Sequence, residues 1–321
     1  MATALLFDRD QVDEVEDWAR RADRLGRKSI LWIDLDSPER DHVRELVEGL
    51  ELSRESEERL AGEDGRPYFG DFGSYLHVTA FVPSPNGRAT DLVKVGCLVA
   101  EQWVVTVHDA PVEVFDEFRE RACGSGETGR LDGPEFLANL LEWVLAAYLA
   151  AFEAVELDLE EFDTRAMEGT LEEPESELRK LVELRREVGR LRRALVSHRE
   201  MFLALTRPEL EEITSSKHAE RFESLRGDLE TAVQAARDSR DSVVGSFDVI
   251  LARTGQRTND IMKILTLGSL LLLPGALIAG VLGMNFKLAV FEDSTYFWIV
   301  LAFIFGLAAT TLAGARARRW I

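Results

Sequence analysis

The sequence predicts an α+β protein: a cytosolic α/β domain, then a long helical stalk leading into two C-terminal transmembrane helices. Three observations predict it. No residue from Ile264 to Phe286 carries a charge, and a run of that length crosses a bilayer as a helix. A second uncharged run, Tyr296–Gly314, is long enough to recross. Upstream of both, short apolar runs parted by Gly- and Pro-rich turns give way at Gly133 to sustained helical periodicity.

The divisions follow from these shifts: 1–130 as the α/β domain, 131–260 as the stalk with its acidic helices, and 261–286 as the first span. An external loop at 287–295, a second span at 296–315 and a basic tail at 316–321 complete the chain. Its 321 residues carry a formal charge of −20. That excludes phosphate-directed nucleic-acid binding and favours cations as partners. The two cysteines, Cys97 and Cys123, give no disulfide framework. The N-terminus shows no basic flank followed by an apolar core, so no signal peptide is expected.

Ser29–Leu35 (SILWIDL) reads as a strand. Ser37 is the expected N-cap of the helix after it, with Pro38 at the first helical position. Tyr75–Val82, Leu92–Val99 and Trp103–His108 read as further strands, with a turn at 83–87, a helix at about 112–122 and a flexible loop at 124–129. From 134 to 162, apolar residues recur at helical spacing. The segment 153–177 then holds eleven carboxylates and one arginine. It reads as a solvated helix tip or as a surface that concentrates cations. Pro174 marks a break. A helix over 176–205 carries Arg185, Arg186, Arg190, Arg192 and Arg193, expected to pair with the acidic helix before it.

The third long helix starts near Lys217 and meets no proline before Pro274. Phe222, Leu225, Leu229, Ala232, Ala236, Ser239, Val243 and Ile250 form a coiled-coil-like seam, which suggests a bundle of identical stalks. Arg253, Arg257 and Lys263 precede the first span, and Arg316, Arg318 and Arg319 follow the second. The positive-inside rule therefore places both termini in the cytoplasm of a multi-pass protein of the cell (inner) membrane.

The first span carries a stripe of mostly small or polar residues: Asp248, Ala252, Gly255, Asn259, Met262, Thr266, Ser269, Leu273, Ala276 and Gly280. Leu267, Leu270, Leu271, Leu277, Ile278 and Val281 form a face suited to lipid. Two spans cannot enclose a pore, but several copies around an axis can. Asn285 would then ring the outer mouth with amide oxygens. Such a ring holds a hydrated Mg2+, which gives up its water reluctantly. Met262, Leu265 and Leu273 could form apolar constrictions, with Asn259 and Asp248 as polar and anionic rings further in.

The run Asn259-Asp260-Ile261-Met262-Lys263-Ile264-Leu265-Thr266, Pro274, Ile278-Ala279-Gly280 and Gly283-Met284-Asn285-Phe286 resembles the CorA family of divalent-cation channels. The GMN triplet at the end of the first of two C-terminal spans is that family's signature. The resemblance implies a funnel-shaped homopentamer in a lipid bilayer that takes up Mg2+, with Co2+ or Ni2+ also passing. It makes Gly283, Met284 and Asn285 the selectivity entrance. Asn259, Met262, Leu265, Leu273 and Ala276 become pore lining, and Asp248 the cytosolic end of the pore. It also implies closure by regulatory Mg2+ between subunits, for which Glu58 and Asp228 are the candidates. Leu282 stands where the family usually has Tyr.

A zinc transporter of the ZntB branch, coupled to protons, is the nearest alternative. That branch usually has Ile where Met284 stands, and the five histidines all lie outside the spans. A non-conducting membrane-anchored scaffold is the second alternative. No enzyme is expected, because no His, Cys or Ser constellation converges.

Overall fold

The computed structural model describes the chain apart from residues 1, 9–10, 16–28, 38, 63–64, 85–90, 113–114, 116–131, 169–173, 208–215, 285–293 and 318–321. Most of the expected helix at 112–122 and the loop at 124–129 lie outside the described residues. The chain forms two compact units, Met1–Arg165 with Leu171–Ser246, and Phe247–Ile321 with Ala166–Thr170.

The first unit holds a seven-stranded sheet. Its strands are β1 (Ala2–Asp8), β2 (Gln11–Glu14), β3 (Ser29–Asp36), β4 (Tyr68–Asp71), β5 (Leu76–Pro83), β6 (Leu92–Val99) and β7 (Trp103–His108), in the order β2-β1-β3-β7-β6-β5-β4. Only the central β3–β7 pair is parallel. The four strands expected from sequence are present, while β1, β2 and β4 escaped the sequence reading. β2 and β4 are four residues each and sit at the two edges, where alternation is too brief to register.

Two short helices, α1 (Arg40–Gly49) and α2 (Arg54–Ala61), cover one face. There Val43, Leu46, Val47 and Leu60 pack with Leu31, Ile33, Leu35, Leu98, Val105 and Val107. Strand alternation sends Trp32, Asp34, Thr106 and His108 to the other face. Trp32 stacks near Phe7 and tilts against Phe115 and Phe136, with ring centroids 6.5, 5.9 and 5.4 Å away. Its Nε1 donates to Thr106 Oγ1 at 2.9 Å. Thr106 donates in turn to Asp34, and His108 Nε2 lies 3.2 Å from Asp34 Oδ1. Burial opposes protonation of His108, but Asp34 outweighs it and the imidazole is held above its usual range.

Ser37 is not the cap of α1. Glu39 occupies that position, in extended conformation. Ser37 adopts φ 46° and spends its hydroxyl on Asp36 Oδ1 (2.9 Å) and Asp109 O (3.2 Å), while its N–H donates to His108 O. Ending the strand has claimed the groups that capping would need.

The helices that follow are α3 (Gly133–Glu168), α4 (Pro174–Ser197), the short α5 (Arg199–Leu205) and α6 (Ser216–Leu282). Gly133 opens α3 where a Cβ would stand 2.0 Å from Ala100 O, so only glycine fits. Asp132 caps the helix by accepting from Glu135 N at 3.0 Å. α3 and α6 run parallel at a constant offset of 83 residues. Ser239 Oγ donates to Glu156 Oε1 at 3.0 Å, and Ser246 Oγ to Asp163 Oδ2 at 3.1 Å. The same offset brings His218 beside Glu135.

The whole seam from Phe222 to Ile250 is buried in the single chain. Ser239 and its neighbours therefore serve packing within the chain, and the seam is no sign of identical stalks. The expected pairing of Arg185, Arg186, Arg190, Arg192 and Arg193 is also absent. All five are exposed, and none makes an ion pair among the described residues. The acidic segment pairs instead through Arg165 and Lys180, both on Glu177.

The helix expected over 176–205 is broken at His198. That imidazole donates from Nδ1 to Ala194 O (2.8 Å) and accepts at Nε2 from the Phe81 N–H (3.0 Å). Tyr148 OH donates to Phe81 O at 3.0 Å. β4 stops pairing with β5 at Thr79, so two helix side chains take the place of a strand at Phe81. Burial holds His198 down at about 4, which keeps it in the neutral form this acceptor role requires.

Candidate functional site

The second unit contains the remainder of α6 and α7 (Ser294–Ala317). Both helices are long and apolar enough to cross a membrane, and neither apolar window is buried within the chain. α6 has 67 residues, roughly 100 Å at 1.5 Å each. It continues through Pro274, whose missing N–H a membrane helix tolerates when neighbours or side chains serve the freed carbonyl.

Every described member of the stripe is exposed in the single chain: Asp248, Ala252, Gly255, Asn259, Met262, Thr266, Ser269, Leu273, Ala276 and Gly280. Leu265 is exposed as well, at 63%, and Leu273 at 65%. Half-buried positions occupy a different side: Leu267, Leu271, Pro274, Gly275 and Ile278. At Gly275 that side meets α7, where an added Cβ would stand 3.2 Å from Ile304 Cγ2. The face expected to meet lipid is therefore divided. Leu267, Leu271 and Ile278 are partly covered, whereas Leu270, Leu277 and Val281 remain exposed.

The stripe's polar groups are partly satisfied by the helix itself. Thr266 Oγ1 donates to Met262 O at 2.7 Å; beside the stripe, Lys263 Nζ donates to Asp260 Oδ1 at 2.8 Å. At the end of α6, Gly283 N donates to Ala279 O (2.9 Å) and Met284 N to Val281 O (3.3 Å). Met284 is 55% exposed. Asn285, the third residue of the triplet, lies outside the described residues, as do the loop at 287–293 and the tail at 318–321.

Glu58, on α2, pairs with Arg54 at 3.0 Å and is otherwise exposed. Asp228 is exposed on α6. No hydrogen bond or ion pair joins the two within the chain, among the described residues. One cluster escaped the sequence reading altogether. Asp132, Glu135 and His218 converge in the first unit. Asp132 and Glu135 carry the local signature of a helix start, but His218 stands 83 residues beyond Glu135 and only the α3–α6 register brings it there.

A sheet-bearing unit, and a long helix whose exposed apolar segment is followed in the sequence by Gly283, Met284 and Asn285 and then by a second apolar helix, fit a two-span membrane protein. The family model described as CorA-like Mg2+ transporter protein matches residues 27–313. The chain belongs to that family. It is 23% identical over 263 residues to the cobalt/magnesium transport protein CorA of Thermotoga maritima, covering 80% of this chain and 73% of that one. The complete structure of the CorA magnesium transporter from Methanocaldococcus jannaschii superposes with a TM-score of 0.78 at 19% identity, covering 100% of this chain and 99% of that one. The cytoplasmic domain of ZntB from Vibrio parahaemolyticus also shares the fold, with a TM-score of 0.61 at 13% identity over 79% of this chain and 98% of that one. The relatives are named as transport proteins, not enzymes.

Proposed function

We propose that the chain is the subunit of a homopentameric channel for Mg2+ uptake, which also passes Co2+ and Ni2+. Gly283, Met284 and Asn285 form its selectivity entrance. Asn259, Met262, Leu265, Leu273 and Ala276 line the pore, and Asp248 marks its cytosolic end. The observation that carries this reading is the division of α6. One side turns to α7 at Gly275, while the stripe from Asp248 to Gly280 is left uncovered. An uncovered stripe with Asn259, Thr266 and Ser269 on it suits a shared water-filled axis better than lipid.

Both termini lie in the cytoplasm of the cell membrane, with the turn after Asn285 outside. Entry of a divalent cation is then driven by voltage alone, at about 2.3 kcal/mol per charge per 100 mV, roughly twice that for Mg2+. Cytosolic Mg2+ held between Glu58 and Asp228 of neighbouring subunits closes the pore. The division of the chain at 130 and 260 into domain, stalk and spans belongs to the same reading.

The test is ion flux into liposomes holding the purified protein, under an imposed voltage, with and without a pH gradient. Mg2+ entry under voltage alone supports the channel, and Asn285→Ala is expected to abolish it while leaving assembly intact. Normal flux in Asn285→Ala would remove the entrance role. Zn2+ entry that needs a proton gradient would establish the ZntB-like alternative. No flux of either ion from folded oligomer would establish the scaffold.

A further inference from the structure

We infer that Asp132, Glu135 and His218 form a binding site for a borderline divalent metal ion, of the Co2+, Ni2+ or Zn2+ class, in the first unit. The site is separate from the pore and goes beyond the transport reading.

The donor atoms lie within 4.8 Å of one another. His218 Nε2 is 3.0 Å from Asp132 Oδ1 and 3.7 Å from Glu135 Oε2. Metal–ligand bonds of 2.0–2.2 Å in tetrahedral geometry set neighbouring donors about 3.3 Å apart, and the two observed spacings bracket that value. One imidazole nitrogen with two carboxylate oxygens is a donor set that first-row transition ions and zinc accept. Mg2+ prefers oxygen ligands alone.

Two of the three side chains are also held in place. Asp132 accepts the Glu135 N–H as the cap of α3 through Oδ1, the oxygen that faces His218. Glu135 is pinned through its other oxygen, Oε1, by Arg221 Nη1 at 2.9 Å. Arg221 is itself anchored on Asn139 and Glu142, at 2.5 and 3.0 Å. Outer hydrogen bonds of this kind orient metal ligands. His218 is buried, with its side chain 7% exposed, while Asp132 is 46% exposed and gives an ion its way in from solvent.

The site lies in the first turns of α3 and α6, whose N-terminal dipole ends repel cations. Affinity therefore depends on the complete donor set, and loss of any one donor is expected to be severe. An ion bound there would bridge the beginnings of α3 and α6 beside the Arg221–Glu135 and Arg221–Glu142 ion pairs that already join them.

The experiment is a Co2+ titration of the full-length purified protein after chelation, in excess Mg2+ to mask hydrated-ion sites. Visible absorption of the bound Co2+ and equilibrium dialysis are read together. The expected result is one Mg2+-resistant Co2+ per chain, with an absorption band intensified by nitrogen ligation. Asp132→Asn and His218→Gln are each expected to weaken it more than about ten-fold. Asn remains a good helix cap, so Asp132→Asn decides the matter should His218→Gln fail to fold. The site is refuted if the native chain holds no Mg2+-resistant Co2+, or if Asp132→Asn binds it as the native chain does. Because binding is read without transport, failure here leaves the flux result standing, and the reverse.

Discussion

The two units solve opposite problems with the same helix. Up to Ser246, α6 is sealed: Phe222, Leu225, Leu229, Ala232, Ala236 and Ser239 are all 2% exposed or less. Beyond that point Ala166, Ile250 and Ala315 are the only residues of the second unit buried among the described ones, while Leu272, Leu273 and Phe305 stand 75%, 65% and 69% exposed. Burial of apolar surface is the main favourable term in folding. The first unit obtains it from its own chain. The second obtains almost none within the chain. The contrast shows why a stripe of small residues has two meanings: before 247 it fits a neighbouring helix of the same chain, and after 247 it is left open.

The sharpest way to break this comparison is one truncation in each unit. Trp32→Ala removes a ring packed among Phe7, Phe115 and Phe136 and leaves Thr106 without its donor. The expected cost is about 3–5 kcal/mol, seen as a large fall in melting temperature in detergent. Leu272→Ala, at a position 75% exposed in the chain, is expected to change stability by no more than about 0.5 kcal/mol, with little movement of that melting temperature. Equal losses from the two would show that the second unit has a core of its own.

The next effect is in pH. His198 titrates at about 4 in the folded chain and 6.5 in the unfolded one. Between those values the unfolded chain binds the extra proton. Stability is therefore complete above about 6.5 and falls as pH drops to about 4, by on the order of 3 kcal/mol. His77, which burial pushes down to about 3, acts in the same direction. His108 acts in the opposite one, stabilising below 6.5 and losing that contribution as pH rises through its raised value. His198→Phe orphans the Phe81 N–H at a cost of about 1–3 kcal/mol and should flatten the loss between pH 6.5 and 4. An unchanged slope in melting temperature against pH would remove His198 from this role.

The smallest effect tests the register of α3 on α6. Ser239→Ala deletes the bond to Glu156 and should cost about 1 kcal/mol, with ion flux untouched. A larger flux change than stability change would show that the seam serves the pore.

Much of this was legible because it is written locally. Strand alternation at Ser29–Leu35, 92–99 and 103–108, the proline at 174 and the uncharged runs at 264–286 and 296–314 depend on neighbours within a few residues. So does the Gly283-Met284-Asn285 triplet. Apart from the strands β1, β2 and β4, the misreadings concern partners distant in sequence. Ser37 looked like a cap because nothing nearby shows Asp109 competing for its hydroxyl. The helix over 176–205 looked continuous because Phe81, which holds His198, is 117 residues away. The arginines of α4 looked paired because opposite charges are close in sequence, yet burial of Leu181, Val188, Leu191 and Leu195 turns them outward.

The sequence by itself determined the class of protein, the strands at 29–36, 76–83, 92–99 and 103–108 and the two long apolar runs, because length, charge and periodicity are properties of a chain. The tertiary structure alone decided that the α6 seam is filled from within, that α7 covers the Gly275 side of the first span, and that His218 meets Asp132 and Glu135. Each of these depends on the register between helices, and register is set by side chains fitting across a gap that no local pattern encodes.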